Sequence, residues 1–177
     1  MSVIPLSAVK LRLNKTTIED DVEIQEMIDA AEAEYARLIG PLTGSVTEKH
    51  HGGGSSVILG SPHATALTAA AYSDGTAIAL TDLDLDATTG IVYWGYNTAG
   101  SFAYGSRNVT ITYTVALPVN HREAIIADVA GYFAATQRGS APGALPTGYE
   151  SSYEDRSTPL TLFPRIKALA ARYPSIA

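Results

Sequence analysis

Apolar residues recur at intervals of three and four between residues 24 and 39, which is the spacing of one face of an α-helix. The members of this stripe are Ile24, Met27, Ile28, Ala31, Tyr35, Leu38 and Ile39. Thr16 and Glu19 have the spacing of a capping box, and Gly40 followed by Pro41 is a stop signal. The pattern therefore predicts a long helix that begins after Thr16 and ends before Gly40.

Between residues 43 and 115 the pattern changes to short segments rich in threonine, glycine and β-branched residues, separated by turn sequences such as SDG and ATTG. This composition predicts strands, and in the run NVTITYT the apolar side chains face one way and the threonines the other. The predicted strands are Ser45–His50, Ser56–Leu59, Thr65–Tyr72, Thr76–Leu80, Leu83–Asp86, Ile91–Trp94 and Asn108–Thr114. Short strands that follow one another in sequence favour an antiparallel sheet or a small barrel.

Helical patterns also lie on either side of these regions. Residues 7–14 predict a short helix with Ser7 as its N-cap. A second helix is predicted from Asn120, its N-cap, to Arg138, with a buried stripe made of Ile125, Ile126, Val129, Tyr132 and Phe133. A last helix is predicted over residues 160–173.

Together these elements predict an α+β fold, in which a small helical bundle carries an inserted antiparallel β subdomain and an extended C-terminal arm ending in a helix. The predicted divisions are an N-terminal helix pair (1–42), the β insert (43–115), a helix that completes the bundle (116–139) and the arm with its helix (140–177). Residues 139–159 are rich in glycine, proline and serine, which is typical of a linker or an extended arm.

The composition excludes several classes of site. The 177 residues include no cysteine, which rules out disulfide frameworks, zinc–thiolate sites and thiol nucleophiles. No apolar run approaches the ~20 residues that span a bilayer. The N-terminus lacks the apolar core of a signal peptide. We therefore expect a soluble protein without a membrane partner.

The net charge of −6 is unevenly distributed. Residues 1–137 carry seven basic and fifteen acidic side chains, whereas residues 138–177 carry five and three. An acidic body argues against sequence-independent binding of nucleic acid, because such binding depends on neutralising phosphates. The basic tail suggests docking onto an acidic surface.

The stretch KHHGGGSSVILG, residues 49–60, has the composition of a metal or phosphate site. Adjacent side chains on a strand point to opposite faces, so His50 and His51 are poorly placed to share an ion. No lysine follows the glycines, as a phosphate-binding loop requires. We therefore predict a β-hairpin, whose tip supplies the contact-loop candidates His51, Gly52, Gly53 and Gly54.

The run DLDLD at residues 82–86 places an aspartate at every second position, as calcium loops do. The sixth position is Ala87 rather than glycine and the twelfth is Tyr93 rather than glutamate, so the match fails. On a strand the aspartates would share a solvent face while Leu83 and Leu85 turn inward. No G-x-S-x-G elbow is present either. We expect no catalytic residue, no cofactor and no metal.

Four phrases in succession carry a family resemblance. They are VEIQEMIDAAEAEYARLIGPL (22–42), AYSDGTAIALTDLDLDATTGIVYW (71–94), RNVTITYT (107–114) and HREAIIADVAGYFAATQRG (121–139). Their order resembles that of the head–tail connector (adaptor) proteins of long-tailed bacteriophages, over roughly residues 6–139 and the closing basic helix. The segment TVALPVN (114–120) departs from the pattern, since a glycine is expected after the last strand.

The resemblance implies a structural virion protein and not an enzyme. Such proteins form a ring, typically dodecameric, beneath the portal of a DNA-filled capsid. The implied partners are further copies of the chain, the portal protein, and a head–tail stopper or tail terminator protein. Genomic DNA would pass through the channel without specific binding. The protein would be made in the host cytoplasm and reside in the neck of the virion.

The C-terminal arm, residues 140–177, is the predicted portal contact. A helix with an apolar side and basic side chains, tethered by a linker, suits a groove on an acidic partner. The portal-docking candidates are Arg165, Ile166, Lys167, Leu169, Arg172 and Tyr173, of which Ile166, Leu169 and Tyr173 form the apolar anchor. The alternative is that this helix folds back onto the bundle of its own subunit.

Two other classes of function remain open from the sequence. One is a ligand- or carbohydrate-binding β module, with a site formed by exposed aromatic side chains at Tyr93, Trp94 and Tyr96. The other is a small hydrolase that uses His50 or His51. Ring formation or portal binding would separate the connector interpretation from both.

Overall fold

The computed structural model describes residues 2–95, 100–139 and 163–172. Its elements, in chain order, are α1 (Leu6–Leu13), α2 (Asp21–Leu38), β1 (Thr43–Gly52), β2 (Ser56–Ile58), β3 (Ala64–Tyr72), a 3₁₀ turn (Leu80–Asp82), β4 (Leu83–Asp86), β5 (Ile91–Trp94), β6 (Gly105–Ala116), α3 (Val119–Gly139) and α4 (Pro164–Ala170). The predicted α+β class is confirmed. The chain forms two compact units, a helical unit that contains α1 to α4 and a β unit that spans residues 39–118.

The helical unit is held together by the predicted apolar stripes of α2 and α3. Ile24, Ile28 and Tyr35 of α2 have no exposed surface, and Ile125 and Val129 of α3 are equally buried. Burying aliphatic and aromatic side chains of this size stabilises a fold by about 1.5–3 kcal/mol each. The periodicity of these residues therefore identified the bundle core correctly.

The helix starts differ from the predicted ones. The predicted capping box of Thr16 and Glu19 does not form, because α2 begins at Asp21, where Asp21 binds Lys10 and Asp20 binds Lys15. These ion pairs tie the chain between α1 and α2 to the start of α2. The acids of its first turn, Asp21 and Glu23, interact favourably with the helix dipole.

The other two predicted N-caps are also wrong. The N-cap of α1 is Pro5 and not Ser7, and no side chain caps this end. Asn120 lies inside α3, which begins one residue earlier at Val119. In both cases the helix extends slightly beyond the polar residue that the sequence marks as its start, a shift within the usual uncertainty of helix ends.

The β unit consists of two three-stranded sheets that share one core. The strand orders are β1-β6-β3 and β2-β5-β4, and every pairing is antiparallel. β6 contributes Val109, Ile111 and Tyr113, all fully buried, while the threonines between them face away, as predicted. Leu83 and Leu85 also pack against this core as predicted.

The predicted hairpin over residues 49–60 is wrong. β1 pairs with β6, whereas β2 pairs with β5 in the other sheet. The β1–β6 register shifts between His50 and Gly52, and the side chain of Asn108 accepts a 2.9 Å hydrogen bond from the Gly52 N–H. Gly53 then takes a φ of 104°, which favours glycine. The glycines therefore carry the chain from one sheet to the other.

The predicted strand Thr76–Leu80 is also wrong. The segment returns beside β3 only far enough for one isolated bridge, between Ala77 and Ala71, and it buries Ile78. The N–H of Asp82 then donates to the carbonyl of Ala79 and closes the 3₁₀ turn. Asp82 therefore lies in a turn and does not share a strand face with Asp84.

Candidate functional site

The histidine candidates lie beside a network of hydrogen bonds, centred on Glu48, that joins β1 to the core. The Glu48 carboxylate accepts hydrogen bonds from the Tyr113 hydroxyl and the Gly60 N–H, both at 2.8 Å. Nε2 of His50 lies 3.3 Å from Oε2 of Glu48 without forming a hydrogen bond. Burial, and secondarily the Glu48 carboxylate, raise the pKa of Tyr113, so its hydroxyl stays protonated. The network positions β1 against β6.

This network lacks the parts of a hydrolase. Burial lowers the pKa of His50, an effect that the Glu48 carboxylate only partly opposes, so the ring is neutral at pH 7. Over the described residues no serine or threonine hydroxyl is hydrogen-bonded to His50. Nδ1 of His51 accepts the main-chain N–H of Arg107 at 3.2 Å, which gives this ring a structural role. A nucleophile within hydrogen-bond reach of its base is the first requirement of such chemistry.

A metal site finds no support either. Within residues 2–95, 100–139 and 163–172, no three histidine or acidic side chains come together closely enough to hold an ion. Asp86 instead closes its own turn, because its carboxylate accepts the N–H of Thr88 at 2.9 Å and the hydroxyl of Thr89 at 2.6 Å. The Thr89 hydroxyl bond, followed by that of the Thr88 N–H, lowers the pKa of Asp86.

The contact-loop candidates lie at an exposed end of the β unit. A Cβ on Gly52 would lie 2.0 Å from the carbonyl oxygen of Ala103, so this position requires glycine. The Gly53 N–H donates to the carbonyl of Phe102, and the Phe102 N–H donates to the carbonyl of Gly54. Tyr104 lies against Gly53 and is 95% exposed. The loop therefore presents His51, two glycines and an aromatic ring that sequence reasoning did not single out.

The aromatic candidates do not form an exposed platform. Trp94 packs edge-on against buried Phe102 with 5.2 Å between ring centroids, and it belongs to the core of the β unit. Tyr93 is 41% exposed. Tyr96 lies outside the described residues. Because Trp94 faces inward, the described part of this site offers one accessible ring and not a stacking surface for a sugar.

The C-terminal helix α4 is packed onto its own helical unit. Ile166 has no exposed surface, and Phe163 lies 6.4 Å from the ring centroid of Tyr132 on α3. The prediction that Ile166 anchors a partner is therefore corrected, because its side chain is already buried within the chain. Leu169 is half-buried, and Tyr173 lies outside the described residues.

Three basic side chains on α4 and directly after it remain accessible. Arg165 is exposed and lies 4.0 Å from the Asp128 carboxylate, while Lys167 and Arg172 are also exposed. No acidic residue occurs between Pro164 and Arg172, so the charged side chains that this segment itself presents are all cationic. A cationic surface of this kind can meet an acidic partner without moving the helix.

The comparisons with known proteins find matching structures but no matching sequences. No family model matches this chain, and no curated protein does so either. A chain in the neck of an empty gene transfer agent particle, computed with C6 symmetry, superimposes with a TM-score of 0.55 at 15% identity, and the match covers 98% of this chain and 90% of that one. A chain in the virion of the native gene transfer agent particle gives 0.56 and 16% with the same coverage. At these identities the likeness shows a shared fold.

Proposed function

We propose that this protein is a structural, non-enzymatic component of the neck of a phage-like particle. The observation that carries the proposal is the match of nearly the whole chain, 98% of it, to the fold of chains in the neck and virion of gene transfer agent particles. A match that spans both the helical unit and the β unit is more informative than a match to either alone. The resemblance to head–tail connector proteins, drawn from the sequence, points the same way.

In this role several copies form a closed ring that joins the capsid portal to the tail, through a head–tail stopper or a tail terminator protein. The matched neck was computed with C6 symmetry, which supports an assembly with that rotational symmetry here. A ring requires a heterologous contact, in which one surface of each copy meets a different surface of the next. The net charge of −6 suits a channel through which DNA passes without adhering.

The cationic surface of α4 is the proposed portal contact. Arg165 and Lys167 are exposed on α4, which Ile166 fixes to its own bundle, and Arg172 is exposed two residues after the helix. A fixed helix presents these charges without the ordering cost of a free tether. Within the proposal, the arm meets an acidic groove on the portal through these charges, and Leu169 adds the remaining apolar area.

The absence of an enzymatic role is supported by the described chemistry. His50 is a neutral, mostly buried ring beside a carboxylate that is already hydrogen-bonded, and His51 accepts a main-chain N–H. Neither arrangement activates a nucleophile. No described helix is long and apolar enough to cross a membrane.

Mass photometry and negative-stain microscopy of the purified protein, with and without its portal, test the proposal. We expect rings, at least in the presence of the portal. A strict monomer that never joins the portal would refute it. Charge reversal at Lys167 and Arg172, with Arg165→Gln because Arg165 lies beside the buried Asp128 carboxylate, is expected to abolish portal binding and leave the melting temperature nearly unchanged. Charge reversal at Glu19, Glu23 and Glu26, three exposed acidic side chains of the helical unit, is the control for reversed charges elsewhere on this unit.

A further inference from the structure

The basic and the acidic residues of the β unit lie in different places. Only two lysine or arginine residues occur between residues 39 and 118, Lys49 and Arg107. They lie far apart in sequence, yet both line the same shallow surface cleft of ≈ 470 Å³. Both side chains are exposed. The cationic charge of this unit is therefore concentrated at one place, on β1 and β6.

The same cleft contains an acid, but its charge is turned inward. The Glu48 carboxylate accepts hydrogen bonds from the Tyr113 hydroxyl and the Gly60 N–H. His50, which also lines the cleft, is mostly buried beside the Glu48 carboxylate. Lys49 and Arg107 are thus the outward-facing charges at this position, and Ile58 of β2, which is 56% exposed, lies next to them.

The remaining acids of the β unit lie elsewhere. They are Asp74, in the turn after β3, Asp82, in the 3₁₀ turn, and Asp84 and Asp86, on β4. Asp74 and Asp86 accept main-chain N–H groups of their own turns. Leu80, 37% exposed, accompanies them. No basic residue occurs between residues 50 and 106, so nothing in this stretch neutralises the four aspartates.

The strand order places these two groups at opposite edges. β1 and β2 are edge strands of the two sheets, and the Gly60 N–H after β2 binds Glu48 of β1, so these edges lie side by side. β3 and β4 are the other two edge strands, joined by the segment that pairs with Ala71 and ends in the 3₁₀ turn. Lys49 lies on edge strand β1, and Arg107 lies beside the end of β1, at the start of central strand β6, where its N–H binds His51. The β unit therefore has one edge with cationic side chains (Lys49, Arg107) and one acidic edge (Asp82, Asp84).

We propose that β units of neighbouring copies contact each other edge to edge, with the cationic edge of one copy against the acidic edge of the next. The occupant of each edge is thus a second copy of this chain. Opposite edges of opposite charge make a head-to-tail contact, which is the type that closes into a ring. Ile58 and Leu80 add one exposed apolar side chain to each edge. This inference rests on the proposed ring and names its contact surface.

Charge complementarity of this kind governs which surfaces meet and how fast they associate. Two edges of the same sign repel, which disfavours a contact between two identical edges. The contact also depends on salt, because exposed charges are screened beyond about 8 Å at physiological ionic strength and about 3 Å at 1 M. High salt is therefore expected to shift the full-length protein from rings toward smaller species.

Two variants of the full chain test the contact. Lys49→Glu with Arg107→Glu makes both edges acidic, and Asp82→Lys with Asp84→Lys makes both edges basic. None of these four side chains makes a hydrogen bond or ion pair within the described residues, so the fold is expected to remain intact. Each variant alone is expected to associate at least about tenfold more weakly than the wild type. A 1:1 mixture of the two is expected to regain rings of alternating copies, and the fourfold variant is expected to assemble alone.

Glu23→Lys with Glu26→Lys, at exposed positions of α2, is the control, which carries the same charge change as Asp82→Lys with Asp84→Lys and should still form rings. Circular dichroism verifies that each variant is folded before assembly is scored. If both edge variants form rings like the wild type, or if the folded variants stay apart when mixed, the edge contact is wrong while the ring proposal stands. If the wild type itself never assembles, with or without portal, the proposed function fails and this inference fails with it.

Discussion

The carboxylate of Asp128 on α3 accepts the main-chain N–H of Ile166 at 3.0 Å and thereby caps α4 from a neighbouring helix. The same oxygen accepts the N–H of Arg165 at 2.9 Å. Phe163, which precedes α4, supplies no side-chain cap of its own. Because the first N–H groups of a helix have no partner inside it, this carboxylate satisfies two of them. The relationship fixes α4 to the bundle.

We predict that Asp128→Ala loosens α4 and lowers the free energy of unfolding by about 1–2 kcal/mol, the usual cost of losing an N-cap. Asp128→Asn keeps an acceptor and is expected to cost less. Urea denaturation measures the change, and hydrogen exchange of residues 163–172 localises it. Equal protection of α4 in the wild type and in Asp128→Ala would contradict the capping role.

Truncation after Gly139 is predicted to destabilise the helical unit. Phe163 and Ile166 are buried there, so their loss exposes the apolar surface of α3 that they cover. Removing two such side chains costs several kcal/mol, roughly 2–5 kcal/mol for one large-to-small change alone. The sequence, which indicated a free tether, predicts no change in melting temperature. Differential scanning calorimetry distinguishes the expectation from the structure from the expectation from the sequence. An unchanged melting temperature would show that α4 does not stay packed on the helical unit.

The buried pair of Tyr35 and His121 predicts a dependence of stability on pH. The Tyr35 hydroxyl and Nδ1 of His121 are 2.7 Å apart, and burial, with a smaller effect of Arg172, lowers the pKa of His121. The unfolded chain takes up this proton near pH 6.5, before the folded chain does. The contribution of His121 to the free energy of unfolding is therefore largest above about pH 6.5, and it decreases as the pH drops toward the pKa of the folded state.

Denaturation between pH 8 and pH 5, with an NMR titration of the His121 ring, measures this effect. His50 also has a lowered pKa and contributes in the same direction, so His50→Gln removes its share as a control. Tyr35→Phe is expected to cost about 1 kcal/mol at pH 8 through the lost hydrogen bond. A His121 pKa at or above 6.5 would contradict the prediction.

Replacement of both His50 and His51 by Gln is predicted to leave folding and assembly nearly intact. Glutamine retains an acceptor for the Arg107 N–H that His51 binds, and His50 makes no hydrogen bond that would be lost. Thermal unfolding and mass photometry test this, and elemental analysis of the purified protein tests for metal. Stoichiometric metal that disappears in the double variant would overturn the structural interpretation.

Gly52 and Gly54 provide a matched pair in the contact loop. A Cβ at Gly52 would lie 2.0 Å from the Ala103 carbonyl oxygen and 2.8 Å from Oδ1 of Asn108, whereas a Cβ at Gly54 has no neighbour within 3.4 Å. Gly52→Ala is therefore expected to lower the free energy of unfolding by about 1–3 kcal/mol, as overpacking does. Gly54→Ala is expected to be nearly neutral. Urea titration of both variants measures the difference, and equal stability would show that the loop relaxes freely.

Part of this fold follows from local pattern alone. The stripes of α2 and α3 identified their buried faces, since side chains three and four apart share one side of any helix. The bounds of β4 and β5 were predicted correctly, and the alternation in β6 assigned its inward face. Each of these features depends only on the repeat of the backbone, which a short window of sequence contains.

Strand pairing was decided by the tertiary structure. The sequence placed β1 and β2 next to each other and suggested a hairpin, yet both strands found their partners about 35 to 70 residues away along the chain. Hydrogen-bond partners of a strand are chosen by which pairing buries a common core, and a local window does not contain that information. The sorted edge charges arise in the same way, because Lys49 and Arg107 meet only through the β1–β6 pairing.

The position of α4 was also decided by the tertiary structure. Its composition showed an apolar side and three basic residues, but its partner could be either another protein or its own bundle. The choice came from Asp128, which supplies the missing cap from α3, and from the burial of Ile166 within the helical unit. The sequence by itself thus determined which segments form helices and strands and which faces are apolar. Only the tertiary structure decided what each face meets, because that depends on groups distant in the chain that compete for the same buried surface.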